Sequence, residues 1–125
     1  MAQALESVTN WAFMSECPIP SDVHAVLAHG EQPVAAYKTV RDSAVLTSHR
    51  VIFRDSQGVT GRKTQIFSLP YSSILMWSSE NAGTLDFTST ITLWTVFGEV
   101  SINIGRGVNV RTLDTWLAHG VLSQN

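Results

Sequence analysis

The apolar positions of this chain change period along its length. In MAQALESVTNWAFMS, Leu5, Val8, Trp11 and Ala12 recur at helical spacing, which predicts an amphipathic helix. CPIP ends it, because Pro18 and Pro20 each lack a donor and restrict the residue before them. Ser21 is a reasonable N-cap for a second short helix, with Val23, Val26 and Leu27 on its apolar side and Gly30 as its stop. From Pro33 the period becomes two. VAAYKTV, SAVLTS, RVIFRD, KTQIFSLPY and SSILMWSS are β-rich runs separated by turn signals such as Asp55-Ser56-Gln57-Gly58 and Asn81-Ala82-Gly83. In TLDFTSTITL, Leu85, Phe87, Ile91 and Leu93 face one way and Asp86, Thr88, Thr90 and Thr92 the other. Its partner VSINI turns Val100, Ile102 and Ile104 inward, which predicts antiparallel strands with one core face and one wetted face.

The text becomes helical again in NVRTLDTWLAHG. Asn109 can cap this helix, and Val108 and Leu113 are spaced as a hydrophobic staple. Leu113, Trp116 and Leu117 form its stripe, and Gly120 is placed to stop it. Strands closed by one amphipathic helix suggest a mainly β, α+β fold: a small barrel or bent sheet with the helix plugging one end. Composition divides the chain into a helical segment, 1–30, and a β-rich domain, 31–122.

Composition changes this picture in one respect. Of 125 residues 44% are apolar and only 14% charged, against roughly 25% charged in ordinary soluble domains. A surface with so little charge points to subunit contacts. The net charge of −2 gives no general pull toward nucleic acid or anionic lipid, so no nucleic-acid partner is expected. Cys17 stands alone, which excludes an internal disulfide and suits a reducing cytoplasm. The N-terminal string carries acid where a leader would carry base, and no segment reaches the ~18 apolar residues of a span. A cytoplasmic protein, at most peripheral to the inner membrane, is therefore expected.

Particular strings carry a resemblance. LTSHR opens a strand, DSQGVTGRK forms a turn, LPYSSI begins the next strand, and Glu80-Asn81-Ala82-Gly83 follows, in that order. The series from about Gly30 to Val121 is similar to the small bacterial pleckstrin-homology domain proteins, a family long described as a domain of unknown function. The resemblance implies a pleckstrin-homology-like barrel of about seven antiparallel strands capped by a C-terminal helix, here with N-terminal helices added. It implies no agreed ligand or cofactor, and a protein that assembles with itself as a cyclic homo-oligomer. The residues themselves explain the signature: Gly58 and Gly61 suit a hairpin tip needing positive φ, and Pro70 stands where no ladder donor is required.

Arg41, Arg50, Arg54, Arg62 and Lys63 are the sharpest candidates for chemistry. If Arg41 lies in a strand-to-strand loop near Arg50 and Arg54, the guanidinium forks could converge on a phosphate or an anionic lipid headgroup. The alternative puts Arg50 and Arg54 on the polar side of one strand, pairing with Asp42, Asp55 or a subunit neighbour. His24, His29, His49 and His119 lack metal-ligand spacing, and no Cys or carboxylate completes a set. No GxSxG elbow, paired carboxylates or phosphate loop is present, since GRG at 105–107 lacks the lysine and the spaced glycines. The reading is therefore non-enzymatic. Trp11, Phe13, Trp77 and Trp94 are the candidate subunit-interface residues, with other proteins as further partners.

Overall fold

The computed structural model describes residues 10–57, 63–81 and 89–123. Its strands are β1 (Asn10–Glu16), β2 (Pro33–Thr39), β3 (Asp42–Thr47), β4 (Arg50–Gln57), β5 (Lys63–Pro70), β6 (Ile74–Glu80), β7 (Ser89–Thr95) and β8 (Gly98–Ile104). Helix α1 spans Ser21–His24 and α2 spans Val110–Leu122, with a 3₁₀ turn at Tyr71–Ser73 between β5 and β6. The strands form one eight-stranded sheet in the order β5-β4-β3-β2-β1-β8-β7-β6.

Two antiparallel meanders, β2 to β5 and β6 to β8, are joined by β1. Strand β1 runs antiparallel to β2, pairing Phe13 with Thr39, and parallel to β8, where Asn10 through Phe13 face Ser101 through Ile104. The helix expected across Leu5 to Ala12 is thus corrected for its described part: residues 10–12 are strand. Trp11 and Phe13 alternate into the core while Ala12 and Met14 point away, so period two prevails over the helical spacing. The sheet consequently runs across the compositional boundary at residue 31. Residue Gly105 lets the end of β8 approach β1 closely: its amide donates to the Phe13 carbonyl at 2.8 Å, and a Cβ there would lie 3.2 Å from that oxygen.

The alternation read in β7 and β8 holds, with Ile91, Leu93, Val100, Ile102 and Ile104 buried. They meet Trp11, Phe13, Tyr37, Leu46, Phe53 and Tyr71 in the inner core, which Leu113 and Leu117 of α2 cover. Asn109 caps α2 as expected, its Oδ1 accepting from the amides of Arg111 (2.9 Å) and Thr112 (3.2 Å). Two readings of this helix are corrected. Trp116 is 36% exposed, so the buried stripe is Leu113, Leu117 and Gly120. The helix also continues past Gly120 to Leu122. Gly120 is there for space: a Cβ would stand 2.4 Å from the Tyr71 ring, which is fixed by its hydroxyl donating to the Thr47 carbonyl at 2.8 Å.

The sheet does not leave its other face wet everywhere. Ala36, Val45 and Ile52 of β2, β3 and β4 form an outer core with Val23 of α1, flanked by Cys17, Ile19, Leu27 and Ile66. Residues 17–32 therefore act as a strap across three strands. The second expected helix shrinks to α1, capped at Pro20 with no side-chain cap bond, and Gly30 takes positive φ (82°) in a turn further on. Strand β3 shows why both faces are covered: its run SAVLT is buried at every position. Gly58, Gly61 and Gly83 lie outside the described residues.

Candidate functional site

Strand β4 places Arg50, Ile52 and Arg54 on the outer face, under the strap. Ile52 fills the outer core, and the two arginines bracket it. Arg50 makes a fork-to-fork pair with Glu31, Nε to Oε2 at 2.9 Å and Nη2 to Oε1 at 3.0 Å. Its remaining donors reach the Val26 carbonyl (2.8 Å) and Ser68 Oγ (2.8 Å). Burial alone would raise the Glu31 carboxyl, but hydrogen bonds from Arg50, the Thr47 hydroxyl and the Ala28 amide hold it down at about 2. Arg54 reaches Asp22 of α1 through Nε (2.9 Å) and Nη2 (2.8 Å), and Asp42 of β3 through Nη1. Asp42 also accepts from the hydroxyls of Ser56 and Ser43, and these bonds, with Arg54, outweigh burial and lower its carboxyl.

The candidate basic set therefore separates. Arg50 and Arg54 fasten the strap to the sheet: of the partners expected for the two arginines, Asp42 pairs with Arg54, while Glu31 and Asp22 come from the strap. Arg41 sits apart, in the β2–β3 turn, with its guanidinium 4.7 Å over the Trp11 ring and Nη2 donating to the Asn10 carbonyl at 2.9 Å. Lys63 stands exposed at the start of β5, and Arg62 lies outside the described residues. The four described side chains of the set do not share one anion pocket.

The aromatic set separates too. Trp11 (3% exposed) and Phe13 (1% exposed) belong to the chain's own core, which corrects their assignment to an interface. Phe13 stacks on Tyr37 at 5.1 Å and Trp11 packs on Phe53 at 4.7 Å. Trp77 is half-buried and its Nε1 donates to Asp114 Oδ1 at 2.8 Å, tying β6 to α2. Trp94 is half-buried on the outward phase of β7, beside the inward Leu93.

A group of exposed apolar side chains lies instead around β6. This strand ends the sheet, and it carries Leu75 (70% exposed) and Met76 (55% exposed) at a bulge in its pairing with β7. Beside it, the β7–β8 turn exposes Val96 and Phe97, and the Val96 amide donates to the Ser73 carbonyl at 3.0 Å. The signal was in the text: ILMW is apolar on both phases, and VF occupies a turn where polar residues are usual.

The chain is 40% identical over 85 residues to the uncharacterized protein YjqA of Bacillus subtilis (strain 168), covering 68% of each chain. A crystal structure of a DUF1696 family protein with a pleckstrin-homology domain, from Shewanella loihica PV-4, superposes with a TM-score of 0.77 at 28% identity, over 86% of this chain and 96% of that one. The pleckstrin homology domain from Shewanella amazonensis SB2B gives 0.64 at 34% identity, over 81% and 83%. The family model for the bacterial PH domain matches residues 4–121, taking in β1, the strap and α2 alike, and the chain belongs to that family.

Proposed function

We propose that this protein is a non-enzymatic assembly module that associates with copies of itself, in a cyclic homo-oligomer, through the free ends of its sheet. One observation carries this reading: β6 is an edge strand that exposes Leu75 and Met76 and bears no charge before Glu80. Soluble proteins normally blunt such an edge with charge or proline, because its unpaired backbone groups accept another strand. The opposite end of the sheet, β5, is a second free edge among the described residues. An edge of one kind meeting an edge of the other is a head-to-tail contact, and a head-to-tail contact closes into a ring when its rotation allows. The low charge content of the chain supports the same reading.

Size-exclusion chromatography with light scattering tests it. The wild-type chain is expected at an integral multiple of 13.7 kDa, and the Leu75→Lys, Met76→Lys variant at 13.7 kDa itself. A wild-type monomer at tens of micromolar would sink the proposal. Recognition of anionic lipid headgroups is the lesser reading, because the forks of Arg50 and Arg54 already hold carboxylates of their own chain. Vesicles containing phosphatidylserine should accordingly fail to sediment the protein even at low salt.

A further inference from the structure

The outer face of the second meander carries acid and no base. Met76, Trp94 and Glu99 stand side by side there, one each from β6, β7 and β8, since Trp94 pairs with Met76 on one side and Glu99 on the other. Neighbouring Cβ atoms in such a row lie about 5 Å apart. The next row is Ser78, Thr92 and Ser101, and beyond it Glu80 stands opposite Thr90. These positions alternate with the buried Ile91, Leu93, Val100 and Ile102, so they face away from the core. The strap packs its apolar side chains on β2, β3 and β4, and the outer core does not extend to β6, β7 or β8. None of the chain's eight Lys and Arg residues lies on these three strands, and neither does a His. Glu80 and Glu99 are exposed, and neither belongs to an ion pair among the described residues.

A carboxylate beside an aromatic ring is a setting for a cation, because the ring's face attracts the charge that the carboxylate pairs with. Phosphates and nucleic acid are repelled by the same two carboxylates. Between Glu99 and Glu80 the side chains are short hydroxyls, which leave the surface low and suit an extended segment better than a compact ligand. The two glutamates stand about 10 Å apart across the sheet and about 13 Å along it, so about 16 Å in all. Residues four apart on one side of an extended segment are about 13 Å apart, and lysine stems reach the rest. We propose that this face docks an extended basic segment of a partner protein. One cation lies against Trp94 and Glu99, and a second, four residues away, pairs with Glu80. The contact uses the face of the sheet and not its edges, so it goes beyond self-association and stands whether or not the chain assembles.

Nitrogen–proton correlation spectra of the full chain, titrated at low salt with the blocked peptide Lys-Thr-Ser-Thr-Lys, test this. The same peptide with Glu in place of both Lys residues is the matched control. The basic peptide should shift the Trp94 indole N–H and the Thr92 and Ser101 amides saturably in the millimolar range, and the acidic one should not. About 0.5 M salt should weaken the binding several-fold. Glu80→Gln and Glu99→Gln should each weaken it about three-fold, and the pair together about ten-fold. Both glutamates are exposed, so the variants fold and either result is readable. The proposal is overturned if the basic peptide gives no saturable shift on β6–β8, or if the acidic peptide shifts the same signals, which would mark an apolar contact at Met76. It is overturned equally if the double variant binds as wild type does, or if those signals move with protein concentration alone, which would mean that a second copy covers the face.

Discussion

Glu31, near the end of the strap, faces Arg50 of β4, with the Glu31 side chain 1% and the Arg50 side chain 22% exposed. Because the Glu31 carboxyl falls from 4.5 to about 2 on folding, its contribution to stability is complete above about pH 4.5 and disappears as pH falls through about 2. That gap is worth at most about 3 kcal/mol. Chemical denaturation between pH 5 and pH 2 should show this loss in the wild type and a flatter profile in Glu31→Gln. At neutral pH, Glu31→Ala should destabilise by roughly 3 kcal/mol or more, since it leaves Arg50 without its main partner. Strand phase was enough to put Arg50 and Arg54 on the same side of one strand, and it offered Asp42, Asp55 or a subunit neighbour as partners, of which Asp42 pairs with Arg54. Glu31 and Asp22 were invisible as partners, because they arrive from a strap whose path across the sheet leaves no periodic trace. The setting of Arg41 was half legible: the arginine could be singled out, but not the β1 backbone carbonyl that orients it.

Helix α2 shows how an element can be right in kind and wrong in detail. Its cap, staple and two of its apolar positions follow from spacing alone, because they are local. Gly120 does not, since its reason is the Tyr71 ring, brought against the helix by the turn between β5 and β6. Gly→Ala inside a helix ordinarily stabilises by about 1 kcal/mol. Gly120→Ala should instead destabilise by roughly 1–3 kcal/mol, as overpacking against a ring that cannot yield, measurable as a lower urea midpoint. Strand β1 failed for a related reason. With only Trp11 and Phe13 turned inward, two positions were too few to outvote an accidental helical spacing. In β8 three inward residues, Val100, Ile102 and Ile104, made the period unmistakable.

At the scale of the whole molecule, β1 is the seam between two meanders. Removing it would expose the facing edges of β2 and β8 in the middle of the sheet and uncap Tyr37 and Phe53 in the core. A fragment of residues 31–125 should therefore lack a cooperative unfolding transition by circular dichroism, whereas a β-rich domain complete from residue 31 would retain one. The compositional division at that residue marks a change in local pattern; the core does not respect it. The proposed assembly belongs to this scale as well: the lysine substitutions on β6 should lower the mass in solution while leaving the folded chain intact.

The parallel pairing of β1 with β8 also orders events in time. During synthesis β1 leaves the ribosome first and can pair with β2 early, yet its other edge has no partner until β8 has been made. Nearly the whole chain must be translated before the seam closes, so long-range pairing delays the sheet and folding should be slow for a domain of this size. Until then the nascent chain presents β1 as a temporary open edge carrying Trp11 and Phe13. Chaperone dependence, and aggregation on overexpression, should track that interval.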